Sequence, residues 1–457
     1  MEAGLFRFLH FSLGLEGEVK GLLDGRKGSF DWDACYQFAK RQTLVGVLFD
    51  GIQRLPKELA PARPLLLRWL SDSESIRRRN MRMDRASAYI YNKVCAAGFR
   101  CCILKGQGNA LLYPHPSSRT PGDVDVWVVA NHEELRHIAL SLTEGDGSSL
   151  HESLNHIGLT VHGVSVELHS TPALLNSPLH NSRLQRWLKR NADLQCSNRI
   201  ALPNNAGEVA VPTLSFNIIY QLCHLFHHCF YEGVGLRQIV DYYFVLKNAD
   251  FSGNTDGGAG NTDRDGVFLN TDYTDFTDRF SGNTDEGCFL LNTDYTDSTD
   301  SSSGGFEGDG CLLNTDCADF LDSSSGGLGE VDSGGSLVAL QKELKWLGLW
   351  KFAGAVMYVL REVMGLDEKR MICAPDERRG RLLLEEIMAG GNFGHYDERN
   401  HFGQGALWHN IQRFRRDWRM LRFYPSEALS EPLFRACHFL WRWKQKHTGK
   451  PKERNRN

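Results

Sequence analysis

Apolar and polar positions recur along this chain with two different periods, and the change of period divides it. Up to residue 97 the spacing is helical: Leu44, Val45, Val47, Leu48 and Ile52 form one stripe, and Pro56, Pro61 and Pro64 punctuate a connection. A second helix is predicted over about residues 65–97, very polar around Arg77–Arg85 and suited to cover the domain that follows. From 98 to 170 short strands take over. FRCCIL reads as a buried strand ending at Lys105-Gly106, NALLY as a short helix, HPSSRTPG as a loop and DVDVWVV as a strand. HEELRHIALSL reads as a helix capped by Asn131, and GLTVHGVSVELH as two strands joined at His162-Gly163. Strand, helix, strand, helix, hairpin is the order of a small α/β sheet, here set among helices: an α+β class.

Residues 171–249 return to the helical period, most clearly over 215–231 and in LRQIVDYYFVLK after the Gly233/Gly235 turn. Residues 336–457 are helical again, with LVALQKELKWLGLWKFAGAVMYVLREVMG as one long amphipathic helix or two. Between them, residues 250–335 have neither period. Asn-Thr-Asp recurs there at 254, 261, 270, 283, 292 and 314, at irregular spacing. A stretch dominated by Gly, Ser, Asp and Thr buries too little apolar surface to offset the entropy of ordering it. A disordered acidic insert between two helices of one domain is expected. A calcium-binding solenoid is the alternative for an Asp- and Gly-rich segment, but no nine-residue frame recurs.

Composition narrows the class. With 457 residues, 41% hydrophobic and 24% charged, the chain is built like a soluble protein. No apolar run approaches the ~18–20 residues of a membrane span. The first residues show no basic region ahead of an apolar block, so no signal peptide, no membrane partner and a cytoplasmic location are expected. The twelve cysteines form no C-x-x-C pair and read as core residues rather than a disulfide or zinc framework. The net charge of −4 hides an asymmetry: the insert alone holds sixteen Asp and three Glu against Arg264 and Arg279. The rest of the chain, with 50 basic against 37 acidic residues, suits a polyanion such as a nucleotide or nucleic acid. The end, WRWKQKHTGKPKERNRN, reads as a solvated basic tail, with contact to nucleic acid as the alternative.

One constellation carries chemistry. In an extended strand Asp123 and Asp125 project from one face while Val124, Val126 and Val128 pack on the other. Two carboxylates at a buried strand end repel each other, and a divalent cation would neutralise both. Oxygen ligands at this density suit Mg²⁺ or Mn²⁺. In SVELHS, Ser165, Glu167 and His169 share a face, so Glu167 can join the two aspartates from the hairpin. Three such carboxylates can hold two metals and support phosphoryl-type transfer, with a nucleoside triphosphate (NTP) as donor. The turn Lys105-Gly106-Gln107-Gly108 would let backbone N–H groups and the next helix approach phosphates, with Lys105 and Arg119 neutralising them.

These residues resemble the polymerase-β-type nucleotidyltransferases, and most closely a bacterial branch of uncharacterised members. LKGQGNALLYPHPSSRTPGDVDVWV is similar to that branch's lysine-glycine, Leu-Tyr-Pro, Arg and Asp-x-Asp signature, and VELHS to its Glu-Leu-His element. GVGLRQIVDYYF and GGNFG resemble later segments. The resemblance implies a palm-like mixed sheet. It makes Asp123 and Asp125 ligands of both metals and Glu167 the third carboxylate, helping to deprotonate the acceptor hydroxyl. It places Gly106 and Gln107 at the superfamily's Gly-Ser position, where Gln107 replaces the serine, and the loop to Asp123 is longer than usual. A catalytically silent nucleotide-binding or interaction protein is therefore carried as the alternative. Small molecule, sugar, protein side chain and RNA are all open as acceptor.

His224, His227 and His228 lie on one helix, with His224 and His228 on one face as a metal pair would be. With Asp241 they suggest a histidine-based metallohydrolase. The milder reading puts His169, His224, His228, Arg237 and Asp241 at the rim of a nucleotide cleft. Asn392-Phe393-Gly394 and Asp397 are candidates for another loop there, and Gly390 and Gly391 for a helix cap.

Overall fold

The computed structural model describes residues 2–15, 30–143, 145, 150–251, 337–397, 399 and 406–448. The chain separates into two units, Met1–Thr255 with Gly334–Asn457, and Asp256–Ser333. The acidic insert, with its disordered and calcium-repeat readings, lies outside the described residues, as does the end of the basic tail.

Four helices open the first unit: α1 (Glu2–Ser12), α2 (Trp32–Arg41), α3 (Val45–Gln53) and α4 (Arg63–Ala96). The stripe read from the sequence is the buried face of α3, with Val47, Leu48 and Ile52 in the core. Pro56 and Pro61 lie in the connection, as expected. Pro64 instead sits in the first turn of α4, where its missing N–H has no helical partner to lose. The α4 helix buries Met83, Ser87, Ile90, Tyr91 and Val94 and packs along the sheet.

That sheet comprises β1 (Cys101–Leu104), β2 (Val124–Val128), β3 (His151–Glu152), β4 (His156–Val161) and β5 (Val164–His169), in the spatial order β1-β2-β5-β4-β3. Only β2 and β5 are parallel; every other neighbour is antiparallel. The expected α+β class, with a mixed sheet among helices, is what the chain adopts. The helix α5 (Gly106–Ala110) begins at the turn itself, so the predicted NALLY helix shares only Asn109 and Ala110 with it. The HPSSRTPG loop holds a 3₁₀ turn at Pro116–Ser118. Helix α6 (His132–Leu142) starts with a reciprocal cap: Glu134 N donates to the Asn131 side chain at 3.0 Å, and Asn131 N to the Glu134 carboxylate at 2.7 Å. His162 and Gly163 join β4 to β5 with φ of 49° and 71°, the two positive values a tight two-residue hairpin needs.

The helices expected over 171–249 are present as α7 (Pro178–Ser197), α8 (Leu214–Tyr231) and α9 (Leu236–Asn248). A two-stranded hairpin, β6 (Arg199–Leu202) with β7 (Gly207–Ala210), interrupts them. Its four-residue strands are too short for the alternation that would have announced them. After the insert come α10 (Leu337–Trp346) and α11 (Trp350–Met364), so the long apolar stretch is two helices, broken where Gly348 takes φ 75°. Three more follow: α12 (Glu377–Gly390), α13 (Ala406–Leu421) and α14 (Pro425–Thr448), the last carrying helix into the basic end. Phe226 of α8 stacks on Phe352 of α11 at 4.6 Å and meets Tyr424 edge-on at 5.0 Å, which fastens the C-terminal helices to α8. The described cysteines are all free and mostly buried. Among the described residues no helix is long and apolar enough to cross a membrane.

Candidate active site

Alternation along β2 puts Val124, Val126 and Val128 in the core on one face and Asp123, Asp125 and Trp127 on the other. Parallel pairing makes Asp125 the Cα partner of Glu167 on β5. Paired residues point to the same face, so the two carboxylates stand side by side. Asp123, Asp125 and Glu167 each offer an oxygen within 4.8 Å of the other two. The three carboxylates chosen from the sequence therefore converge.

Two cations balance them in part. Lys105 Nζ lies 3.0 Å from Asp125 Oδ2, and His169 Nε2 lies 3.0 Å from Asp125 Oδ1 and 3.3 Å from Glu167 Oε2. Burial raises Asp125, but Lys105 and His169 outweigh it and hold its carboxyl below the usual range. Burial opposes the charge on His169, yet its hydrogen bonds to Asp125 and Glu167 prevail and lift it to about 9. Asp123 is pushed up, first by the charge of Asp125 and then by burial. A carboxylate raised by its neighbour is short of counter-charge, and an all-oxygen trio in that state fits a divalent cation of the Mg²⁺ or Mn²⁺ type.

The α8 helix closes the face opposite. Phe216, Tyr220 and His224 recur every four residues and form one stripe, with ring centroids 5.9 and 6.3 Å apart. Trp127 stacks on Phe216 at 5.9 Å, so the stripe runs along the polar face of β2. At its far end His224 Nε2 meets Lys105 Nζ at 3.1 Å. Burial, and then the Lys105 charge, drive His224 well below its ordinary range, so it is neutral. Lys105 takes φ 49° and Gly106 φ 29°, a turn that directs the lysine inward.

Beside the carboxylates opens a cleft lined by Lys105, Gly106, Asn109, Arg119, Asp123, Asp125, Gln221, His224, Arg237, Asp241 and Phe393 among others. Its donors stand out. Arg119 Nη1, Arg237 Nε, Asn109 Nδ2 and Gln221 Nε2 are buried without a hydrogen-bond partner. Arg119 holds Asp241 with Nε and Nη2, and Tyr113 Oη donates to the same carboxylate at 2.7 Å. Arg237 Nη1 donates to Thr120 O at 3.0 Å. Buried donors without partners beside a polar cleft are costly unless a ligand supplies acceptors.

The other residues singled out in the sequence fall elsewhere. Gln107 is buried and its amide donates to Asp84 on α4, so its side chain faces away from the cleft rather than toward phosphates. Gly108 packs on Val211. The α5 helix is a single turn, too short for the dipole expected of it. His169 lies buried between Asp125 and Glu167, not at a rim. His228 sits behind His224, Nε2 to Nε2 at 2.8 Å, and His227 stacks on Tyr231 at 4.2 Å. The metallohydrolase reading loses its third ligand, because Arg119 already occupies Asp241, and Lys105 stands where His224 would meet a metal. Phe393 reaches the cleft; Asp397 does not, and pairs with Arg399. Gly391, with φ 62°, caps α12.

Asn109, Gln221, Tyr220 and His156 were missed. A signal existed for Gln221: Asn217, Gln221, His224 and His228 form a polar stripe on an otherwise apolar, buried helix. Buried polar positions at helical spacing mark a site or a network.

No curated protein matches the chain. Among solved structures, an antigenic nucleotidyltransferase-like protein from Paracoccidioides brasiliensis is similar at 16% identity and TM-score 0.25, over 36% of this chain and 76% of its own. Residues 28–256 match the family described as uncharacterised nucleotidyltransferase, a span that holds Asp123, Asp125, Glu167, Asp241 and every orphaned donor named above. By that match over half its length, this chain belongs to the uncharacterised nucleotidyltransferase family.

Proposed function

We propose that the protein is a metal-dependent nucleotidyltransferase that moves a nucleoside monophosphate from an NTP to an acceptor hydroxyl and releases pyrophosphate. One observation carries this: Asp123, Asp125 and Glu167 offer oxygens within 4.8 Å of one another, next to a cleft whose buried donors have no partner. Asp123, Asp125 and Glu167 would hold divalent cations, which when bound supply charge neutralisation at the reacting phosphate.

The chain's own residues do the rest. Arg119, Arg237, Asn109 and Gln221 would donate to phosphate oxygens and fix the triphosphate, and Lys105 would add positive charge. The acceptor oxygen attacks the α-phosphorus, the bond to the bridging oxygen of the β-phosphate breaks, and pyrophosphate leaves with the electron pair. Glu167, half-exposed, would take the hydroxyl proton and pass it to solvent. His169, already protonated at neutral pH, would hold Asp125 and Glu167 in place instead of accepting that proton.

Measuring Mg²⁺-dependent NTP binding in the wild type and in Asp123→Ala/Asp125→Ala tests the reading. Binding that needs Mg²⁺ and disappears in the double variant is expected; equal binding in both, with and without metal, defeats it. A second reading, a silent nucleotide-binding protein, is favoured by Gln107, whose burial against Asp84 leaves no hydroxyl at the turn. Labelled NTP supplied with cell extract separates the two, because only the enzyme releases pyrophosphate and leaves label on an acceptor.

A further inference from the structure

We propose that His156, Glu167 and His169 form a second cation site, adjoining the carboxylate trio and sharing Glu167 with it, that takes a transition cation of the Co²⁺ or Zn²⁺ class. The β4–β5 pairing builds it: His156 and His169 are direct Cα partners, and Glu167 lies two residues along β5 on the same face. Gly158, the partner of Glu167, brings no side chain to that face, which leaves the carboxylate open toward His156. One ligand atom from each of the three residues lies within 4.8 Å of the other two. His156 Nε2 is 3.8 Å from Glu167 Oε1, and His169 Nε2 is 3.3 Å from Glu167 Oε2. Metal bonds of ~2.0–2.2 Å to nitrogen and oxygen place neighbouring ligands roughly 3.0–3.5 Å apart, so a small side-chain adjustment closes the set.

The surroundings fit a ligand role. Asn155 Oδ1 lies 3.3 Å from His156 Nδ1, so that Nδ1–H donates to the amide and Nε2 turns its lone pair to Glu167. His156 and Glu167 are 26% and 32% exposed, so an ion can arrive from solvent, while His169, on the inner side, would release the Nε2 proton it otherwise holds between Asp125 and Glu167 and offer that nitrogen to the ion. Imidazole nitrogen favours Co²⁺ and Zn²⁺ over Mg²⁺, whereas the neighbouring trio is all oxygen. Glu167 on β5 thus stands between two ligand sets of different preference, one completed by the histidines of the β4–β5 hairpin and one by the aspartates of β2. The site stands on its own ligands and does not require that the chain transfer nucleotides.

The test is Co²⁺ titration of the untagged full-length protein, read by visible absorption. Wild type is expected to give a nitrogen-ligated Co²⁺ band. His156→Gln, which keeps a polar side chain but no imidazole, is expected to weaken binding at least about tenfold, while His137→Gln, at an exposed histidine of α6 outside both ligand sets, stays near wild type. Unchanged Co²⁺ affinity in His156→Gln, or equal loss in His137→Gln, overturns the proposal. Pulsed EPR of Cu²⁺-loaded wild type gives a check independent of how any variant folds: imidazole ¹⁴N coupling is expected, and its absence also overturns the site. Nucleotide binding enters none of these readouts, so failure here and failure of the transferase reading are separate results.

Discussion

Arg119 grips Asp241 with two hydrogen bonds, Nε to Oδ1 at 2.7 Å and Nη2 to Oδ2 at 2.8 Å, and this fork leaves Nη1 without a partner on a residue that lines the cleft. Both side chains are buried. Burial alone would raise Asp241; Arg119 outweighs it and holds the carboxyl below its usual range. Breaking such a pair strands a charge in the interior, at a cost of about 3–5 kcal/mol. Asp241→Leu is therefore expected to lower stability by that order in urea denaturation. The double variant Arg119→Met/Asp241→Leu is expected to recover most of the loss, since no charge is left unpaired, yet not to regain nucleotide affinity. A double variant as unstable as the single one would mean that the pair is a net source of stability rather than a device for aiming Nη1.

Gln107, which the family resemblance places at the superfamily's serine position, donates its amide to Asp84. Restoring the hydroxyl with Gln107→Ser should not restore a phosphate contact, because the side chain leaves the turn on the α4 side. Removing the amide leaves Asp84 without that donor, at a cost of about 1–3 kcal/mol. The expected outcome is a lower melting temperature with NTP affinity unimproved. A clear gain in affinity would show that the turn can swing the residue into the cleft.

Much of this arrangement was legible in the sequence, and the boundary between what was and was not has a physical cause. The Asp123–Asp125 alternation and the Glu167–His169 alternation follow from strand geometry, so facing carboxylates required only that β2 and β5 be neighbours. Asn131 and Glu134 are a local cap, readable over three residues. The partners of Arg119 and Gln107 are not local. Arg119 reads as a phosphate ligand alone, and only the fold, by bringing Asp241 to it from 122 residues away, adds the partner that holds Nε and Nη2. Gln107 reads as a turn residue until α4 is laid behind it. The β6–β7 hairpin fails for a different reason: four-residue strands carry too little alternation to register.

Asp50 gives a pH-dependent expectation away from the carboxylate trio. It accepts a hydrogen bond from Ser118 Oγ at 2.8 Å. Burial pushes it up to about 7, against the opposing influence of Ser118 and Arg54. Because the folded value lies above the unfolded one, near 3.9, the native state holds this proton more tightly. Its contribution to stability is complete below the unfolded value and is lost as pH rises through about 7. Asp50→Asn, which cannot ionise, is therefore expected to gain in melting temperature relative to wild type between pH 5 and pH 8. A difference that stays flat across that interval would refute the assignment.

Gly46 ties the N-terminal helices to the cleft through space rather than hydrogen bonding. A Cβ built there would stand 2.3 Å from the carbonyl oxygen of Ser118, the residue before Arg119. The obstacle is backbone, so it can yield only if the loop or α3 moves. Overpacking of this kind costs about 1–3 kcal/mol, and any shift of the loop carries Arg119 with it. Gly46→Ala is accordingly expected to lower stability and, in the fraction that remains folded, to weaken NTP binding. Gly390→Ala is the control: nothing lies within 4 Å of its added methyl, at the last residue of α12. If the control and Gly46→Ala bind nucleotide equally well, α3 does not position Arg119, and the loop is held from the Asp241 side alone.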